Sequence, residues 1–325
     1  MMNKYILIIS VILLLTSCNV GHHDSEGDKI VLKRLDVTLA DYASLDGAER
    51  TAIRDSLGDV IDVWLNIQGI FNADDSALIE YSKSKAVTVF SSDICSSFEN
   101  KSYDYELILK LQDNISNYFG DNEFYDLYSV VSPYNQSIFI ADSMMFIGLN
   151  HYLGSDYVGY DYFEPYQRVV KTPQHLVYDI AEAAIVDKYP YQSDDEETVL
   201  NVLLYNGAIV YSIMQLVPDA DIAEVMGYTQ RQLEWAEDNE KNAWSALISR
   251  KLLYSTNRQD ANRLVNPSPV TSILHQESPG RLGRYIGYKI VKSYVENHQD
   301  VNLKRLLSPD FYNSIQSLID SEYGV

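Results

Sequence analysis

The sequence predicts an α-rich α+β protein, and three observations predict it. Apolar residues recur at helical spacing from about residue 39 to 71 and again from Thr172 to the end. Between these stretches, from about 125 to 150, they fall into short β-branched runs separated by turn residues. No internal repeat or low-complexity tract interrupts either pattern, so one domain is expected over 30–325, predominantly helical with a small sheet.

Each element has its own warrant. Over 39–71, Ile53, Leu57, Val60, Ile61, Trp64, Leu65 and Ile67 recur every three or four positions and describe one amphipathic helix. Further helices are expected at about 75–90 and 103–119. Leu127, Val130 and Val131, then 137–141 beyond a Ser-Pro break, then 145–149, give three strands. Residues 175–186 carry an apolar stripe, and 197–217 carry another that stops at Pro218. Thr229-Gln230-Arg231-Gln232 is a capping box, in which Thr229 accepts from the third backbone N–H while Gln232 reaches back. Leu233, Ala236, Trp244, Leu247 and Ile248 then share one face. A last long helix is placed from Ser278-Pro279, with serine as N-cap and proline at the first helical position, through Ile290 to Val295.

The N-terminus carries a targeting signal. Lys4 precedes an apolar run from Tyr5 to Leu15, about eleven residues against the roughly 20 that a spanning helix needs. Leu15-Thr16-Ser17-Cys18 follows it, a bacterial lipobox. Residues 1–17 are therefore expected to be a cleaved signal peptide, Cys18 the acylated new N-terminus, and 18–29 a lipidated, flexible polar stalk. His22 and His23 lie in that stalk without a third ligand nearby. Lipidation consumes one of the two cysteines, so no intramolecular disulfide is available, and Cys95 is expected to be a buried small hydrophobe. No other segment is expected to span a membrane.

Composition narrows the partners. Lysine and arginine number 25 against 46 acids, a formal charge of −21 that repels nucleic acid and an anionic membrane face. Tyrosine is overused, 26 against 9 Phe and 3 Trp, and phenols spread through helices chiefly serve as core residues with a wet hydroxyl. Their densest stretch, 151–166, is where a sugar- or peptide-stacking site is expected if there is one.

Catalytic signatures are absent: there is no GxSxG elbow, Walker loop, GxGxxG turn or HExxH helix, and the six histidines are scattered. The acids Asp194 to Glu197 precede a helix, where they complement its positive end. No catalytic residue, metal or cofactor is assigned. One position resists a bland account. Counted along the Thr229-capped helix, Glu237 and Glu240 fall beside the apolar stripe, and a carboxylate facing a core needs a partner. The nearest donors are Arg281 and Arg284, so Asn239, Glu240, Arg281 and Arg284, with Tyr228, Trp235 and Trp244 around them, form the candidate binding or structural site.

These stretches also carry a resemblance. Gly227-Tyr228-Thr229, residues 232–235, Asn239-Glu240, Trp244 and 252–256 resemble the gliding-motility lipoprotein GldB family in order and spacing, as do 147–154 and 278–291. The likeness spans about 30–320 and includes the lipobox; Asn150 stands where the pattern has aspartate. It implies a lipid-anchored envelope protein of the gliding and protein-secretion machinery, in the outer membrane with its periplasmic face favoured, binding or scaffolding other envelope proteins without catalysis. The alternatives are a divergent metal-dependent hydrolase, using Glu240 with a histidine such as His175, and a glycan- or peptide-binding lipoprotein. More remotely, the segment order is similar to predicted zinc peptidases, with 175–183 at the HExxH region and Tyr205-Asn206-Gly207 at a later Glu-Gly motif. The zinc ligands are not kept there, which implies a degenerate peptidase-like fold.

Overall fold

The computed structural model describes residues 32–71, 74–98, 105–120, 124–132, 136–193 and 196–324. The signal peptide, Cys18, the stalk with its two histidines, Asp194 and Asp195 lie outside the described residues. The chain is α+β and predominantly helical with one small sheet, and it divides into two compact units.

The first unit comprises Met1–Tyr105 and Tyr125–Leu153. Its described helices are α1 (Leu35–Ala40), α2 (Gly47–Leu57), α3 (Asp59–Ile67), α4 (Asp75–Ser82) and α5 (Lys85–Phe98). Its strands are β1 (Asp126–Val130), β2 (Ile138–Ala141) and β3 (Met144–Gly148), in the order β1-β3-β2. β3 pairs parallel with β1, Leu127 facing Met145, and antiparallel with β2, Ile140 facing Met145. All three strands stand where short β-branched runs predict them. The core closes around the fully buried Trp64, which stacks on Phe146 at 5.4 Å and meets Tyr81 and Phe139 edge-on.

The single helix expected over 39–71 is three. Asp46 and Glu49 form a capping box that starts α2, and Gly58, at φ 53°, ends it. The apolar stripe of Val60, Ile61, Trp64 and Leu65 thus belongs to α3 alone. The helix expected at 75–90 is likewise split into α4 and α5, and Cys95 on α5 is half-buried rather than buried.

The second unit comprises Glu106–Phe124 and Gly154–Val325. It contains α6 (Glu106–Phe119), α7 (Pro165–Arg168), α8 (Leu176–Lys188), α9 (Val199–Leu216), α10 (Ile222–Met226), α11 (Gln230–Asp238) and α12 (Glu240–Ser249). After these come α13 (Arg258–Val265), α14 (Leu282–Asn297), α15 (Leu303–Leu306), α16 (Pro309–Tyr312) and α17 (Ile315–Asp320). α9 is the axis of this unit, packing against α8, α13 and α14. By length and composition alone it could cross a membrane, but 72% of it is buried inside the protein, as a core helix requires. Two glycines let it touch α14 backbone to backbone. A Cβ at Gly207 would lie 2.1 Å from Gly287 C, and one at Gly287 would lie 2.0 Å from Leu203 O. Any side chain there would push the helices apart.

The Thr229 capping box is present as expected. Two other helix boundaries differ. The helix that begins at Gln230 stops at Asn239, whose Nδ2 donates to Trp235 O at 2.9 Å, so α11 and α12 are separate and Ile248 is exposed. α14 begins at Leu282 rather than at Ser278-Pro279. Ser278 and Pro279 are buried in a turn knitted to Thr271, whose hydroxyl donates to Pro279 O at 2.8 Å and accepts from Leu282 N at 3.0 Å. Thr271, eleven residues before Leu282, satisfies the first N–H of the helix from outside it.

Candidate functional site

A polar cluster in the second unit joins the start of α14 to one face of α8. His175, Asp179 and Glu182 are spaced by four and three residues, which puts them on one side of the helix. His175 Nε2 lies 3.3 Å from Asp179 Oδ1. Glu182 receives both terminal nitrogens of Arg284, Nη1 to Oε1 at 2.9 Å and Nη2 to Oε2 at 2.6 Å. This fork is the strongest geometry available to a guanidinium and a carboxylate. Arg284 is nearly sealed, its side chain 6% exposed, whereas that of Glu182 is 35% exposed. Burial would raise the Glu182 carboxyl, but the charge and hydrogen bonds of Arg284 override it and hold the carboxyl below its usual value. Arg284 Nε remains buried without a partner.

The turn before α14 completes the cluster. Tyr228 donates its hydroxyl to Gly280 O at 2.8 Å, and burial pushes that phenol well up. Gly280 is obligatory, since a Cβ there would lie 1.8 Å from Ser268 O. Arg281 follows in the left-handed conformation, and burial with the like charge of Arg284 pushes its guanidinium below the ordinary value. Tyr205 donates to Tyr189 O at 2.8 Å and is pushed up to about 12 by burial, with smaller contributions from Tyr312 and Glu182. Lys171 lies 4.0 Å above the Phe163 ring, and burial pushes it down to about 8.

The pairing of Glu240 with Arg281 or Arg284 that helical counting predicts is not formed. Glu240 opens α12, beyond the break at Asn239, and its partners are Lys289 Nζ at 3.1 Å and the Tyr323 hydroxyl at 2.9 Å. Trp244 meets the Tyr323 ring edge-on at 5.0 Å, and Trp235 lies 5.4 Å from the His275 ring. The seven candidates therefore separate. Tyr228, Arg281 and Arg284 converge at the turn before α14, Glu240 and Trp244 meet at Tyr323, and Asn239 and Trp235 close the end of α11. The acid that sequence reasoning missed is Glu182, 102 residues from Arg284. Its only signal was its register with His175 and Asp179.

In the aromatic stretch, Tyr160 and Phe163 are buried and meet edge-on at 5.8 Å, while Tyr162 is 67% exposed. In the first unit, Asn150 accepts from Ser132 N and donates to Ser132 O, both at 2.9 Å, a two-way pairing that only an amide supplies.

Residues 175–183 and 205–207 hold a single histidine, His175. Both Glu182 oxygens accept from Arg284, and Asn206 donates to Val202 O within its own helix. Among the described residues no group of three or more His, Cys, Asp or Glu side chains could hold a metal.

The fold and site define a mainly helical α+β protein built around a buried acid–arginine cluster. The profile of the family described as Gliding motility protein GldB matches residues 22–323, and the chain belongs to that family of gliding-motility-associated lipoproteins. No curated protein and no solved structure matches it.

Proposed function

We propose that this protein is a lipid-anchored component of the outer membrane, its folded body on the periplasmic side, that binds another part of the gliding and secretion machinery and turns over no substrate. The observation that carries this reading is the commitment of Glu182. The acid on the α8 face has both oxygens forked onto Arg284 and a depressed carboxyl, which makes it a weak base. The family and the lipobox support the anchoring and the association with motility.

Crosslinking and capture of the native lipoprotein from detergent-solubilised envelopes tests the reading, and defined secretion or motility components should copurify. Stoichiometric zinc in protein purified without chelator, with peptide hydrolysis lost on chelation, would instead make it a hydrolase. For the anchor, Cys18→Ser should leave a larger, unprocessed precursor, because acyl transfer to the thiol precedes cleavage. Normal maturation and detergent-phase partitioning of that variant would remove the lipid.

A further inference from the structure

Arg281 is the member of the cluster whose own requirements are unmet. Its backbone sits at φ 58°, ψ 22°, a left-handed conformation that costs energy for any residue bearing a Cβ. The turn enforces it from both sides. Tyr228 holds Gly280 O, and Thr271 holds Pro279 O and Leu282 N, so the strain belongs to a rigid and specific turn. Glycine, which would adopt the conformation freely, stands on either side at 280 and 283 but not at 281.

The guanidinium that this turn presents makes no hydrogen bond or ion pair with any described residue. Its electrostatic neighbours are Arg284, which repels it, and Glu182 and Asp179. Glu182 is fully committed to Arg284, and Asp179 lies against His175 and in the field of Lys171. Lys171, Arg281 and Arg284 set against Asp179 and Glu182 leave one positive charge over, in a chain whose net charge is −21. The donors left over for a ligand are those of the Arg281 fork.

We propose that Arg281 forms a receptor for a single carboxylate group. A planar guanidinium fork matches a carboxylate geometrically. The single residual charge selects a monoanion, since a phosphate dianion would leave excess negative charge beside Glu182 and Asp179. The inference deepens the binding reading and rests on it, naming the chemistry by which the ligand is held.

The test is calorimetric, on the full lipoprotein in detergent. N-acetylglycine should raise the melting temperature, and its uncharged amide and inorganic phosphate should not. Arg281→Gly should melt higher than the wild type without ligand, because it relieves both the left-handed strain and the repulsion by Arg284, while losing the ligand-induced shift. Arg281→Asn, a residue tolerant of that conformation, should behave in the same way. Arg281→Lys keeps the charge without the fork and should bind about tenfold more weakly. A lower melting temperature for both Arg281→Gly and Arg281→Asn would make Arg281 a structural residue and overturn the proposal. An equal shift with the amide, or a larger one with phosphate, would overturn it too. A carboxylate shift that survives failure of partner capture would leave the receptor standing and remove only its place in the machinery.

Discussion

Arg34 in the first unit grips Asp36 through Nε and Nη2, both at 2.8 Å, and donates its remaining nitrogen to Phe98 O at 3.4 Å. Arg284 in the second unit grips Glu182 just as closely but leaves Nε unused and stands beside a second, unpaired arginine. The Ser129 hydroxyl closes the first pair by donating to Asp36 Oδ1, and the two side chains are only 10% and 2% exposed. Burial would lower Arg34, but the hydrogen bonds and charge of Asp36 override it and raise it above its ordinary value, while Arg281 is pushed down. In the first unit each side-chain nitrogen of Arg34 has an acceptor, and the pair ties α1 to β1 and to the end of α5. In the second, donors outnumber acceptors, and the proposed receptor rests on that contrast.

The largest effect should come from breaking the finished pair. Asp36→Ala strands Arg34 and Ser129 in the interior and should cost about 3–5 kcal/mol, read by chemical denaturation. Replacing Arg34 and Asp36 together by apolar residues should recover most of that loss, because the stranded charge, not the missing attraction, is what costs. A loss below about 1 kcal/mol for Asp36→Ala would erase the contrast between the units.

Glu182→Gln should cost less, about 1–3 kcal/mol, because the amide oxygen still accepts from Arg284 and the site keeps an edge in solvent. Its pH dependence gives a sharper reading. The Glu182 carboxyl is depressed in the folded state, so its contribution is present above the ordinary value of 4.5 and is lost as pH falls through the lower folded value. The wild type should therefore lose stability below pH 4.5 more steeply than Glu182→Gln, and parallel profiles would mean that Arg284 does not hold this acid.

What the sequence made legible follows from the range of each signal. The three strands are short, β-branched and bounded by turn residues, all local properties, and they fall where expected. The Thr229 box is local too. The breaks at Gly58 and Asn239 leave no mark in the periodicity, which records the phase of an apolar stripe, because both interruptions leave apolar residues at compatible spacing on either side. The start of α14 was misplaced because Ser278-Pro279 has the composition of a helix start, while Thr271 satisfies the first N–H from outside. Arg281 and Arg284 were recognisable as donors, but their acid, on another helix, could be matched to them only by folding.

The smallest effect is expected where counting along one helix placed the largest. Glu240 sits between Lys289 and Tyr323 with its side chain 21% exposed, so the ion pair it loses on Glu240→Gln is partly solvated already. The amide oxygen still accepts from the Tyr323 hydroxyl, and only the attraction to Lys289 goes, about 0–1 kcal/mol. Tyr323 offers a second reading. Burial, reinforced by the charge and hydrogen bond of Glu240, raises its phenol, so removing that charge should bring the phenol back toward its ordinary value in a spectrophotometric titration, with almost no change in the denaturation midpoint. A loss of about 3 kcal/mol or more would show Glu240 to be a sealed charge like Asp36, and the second unit would then hold a finished pair of its own beside the unfinished one.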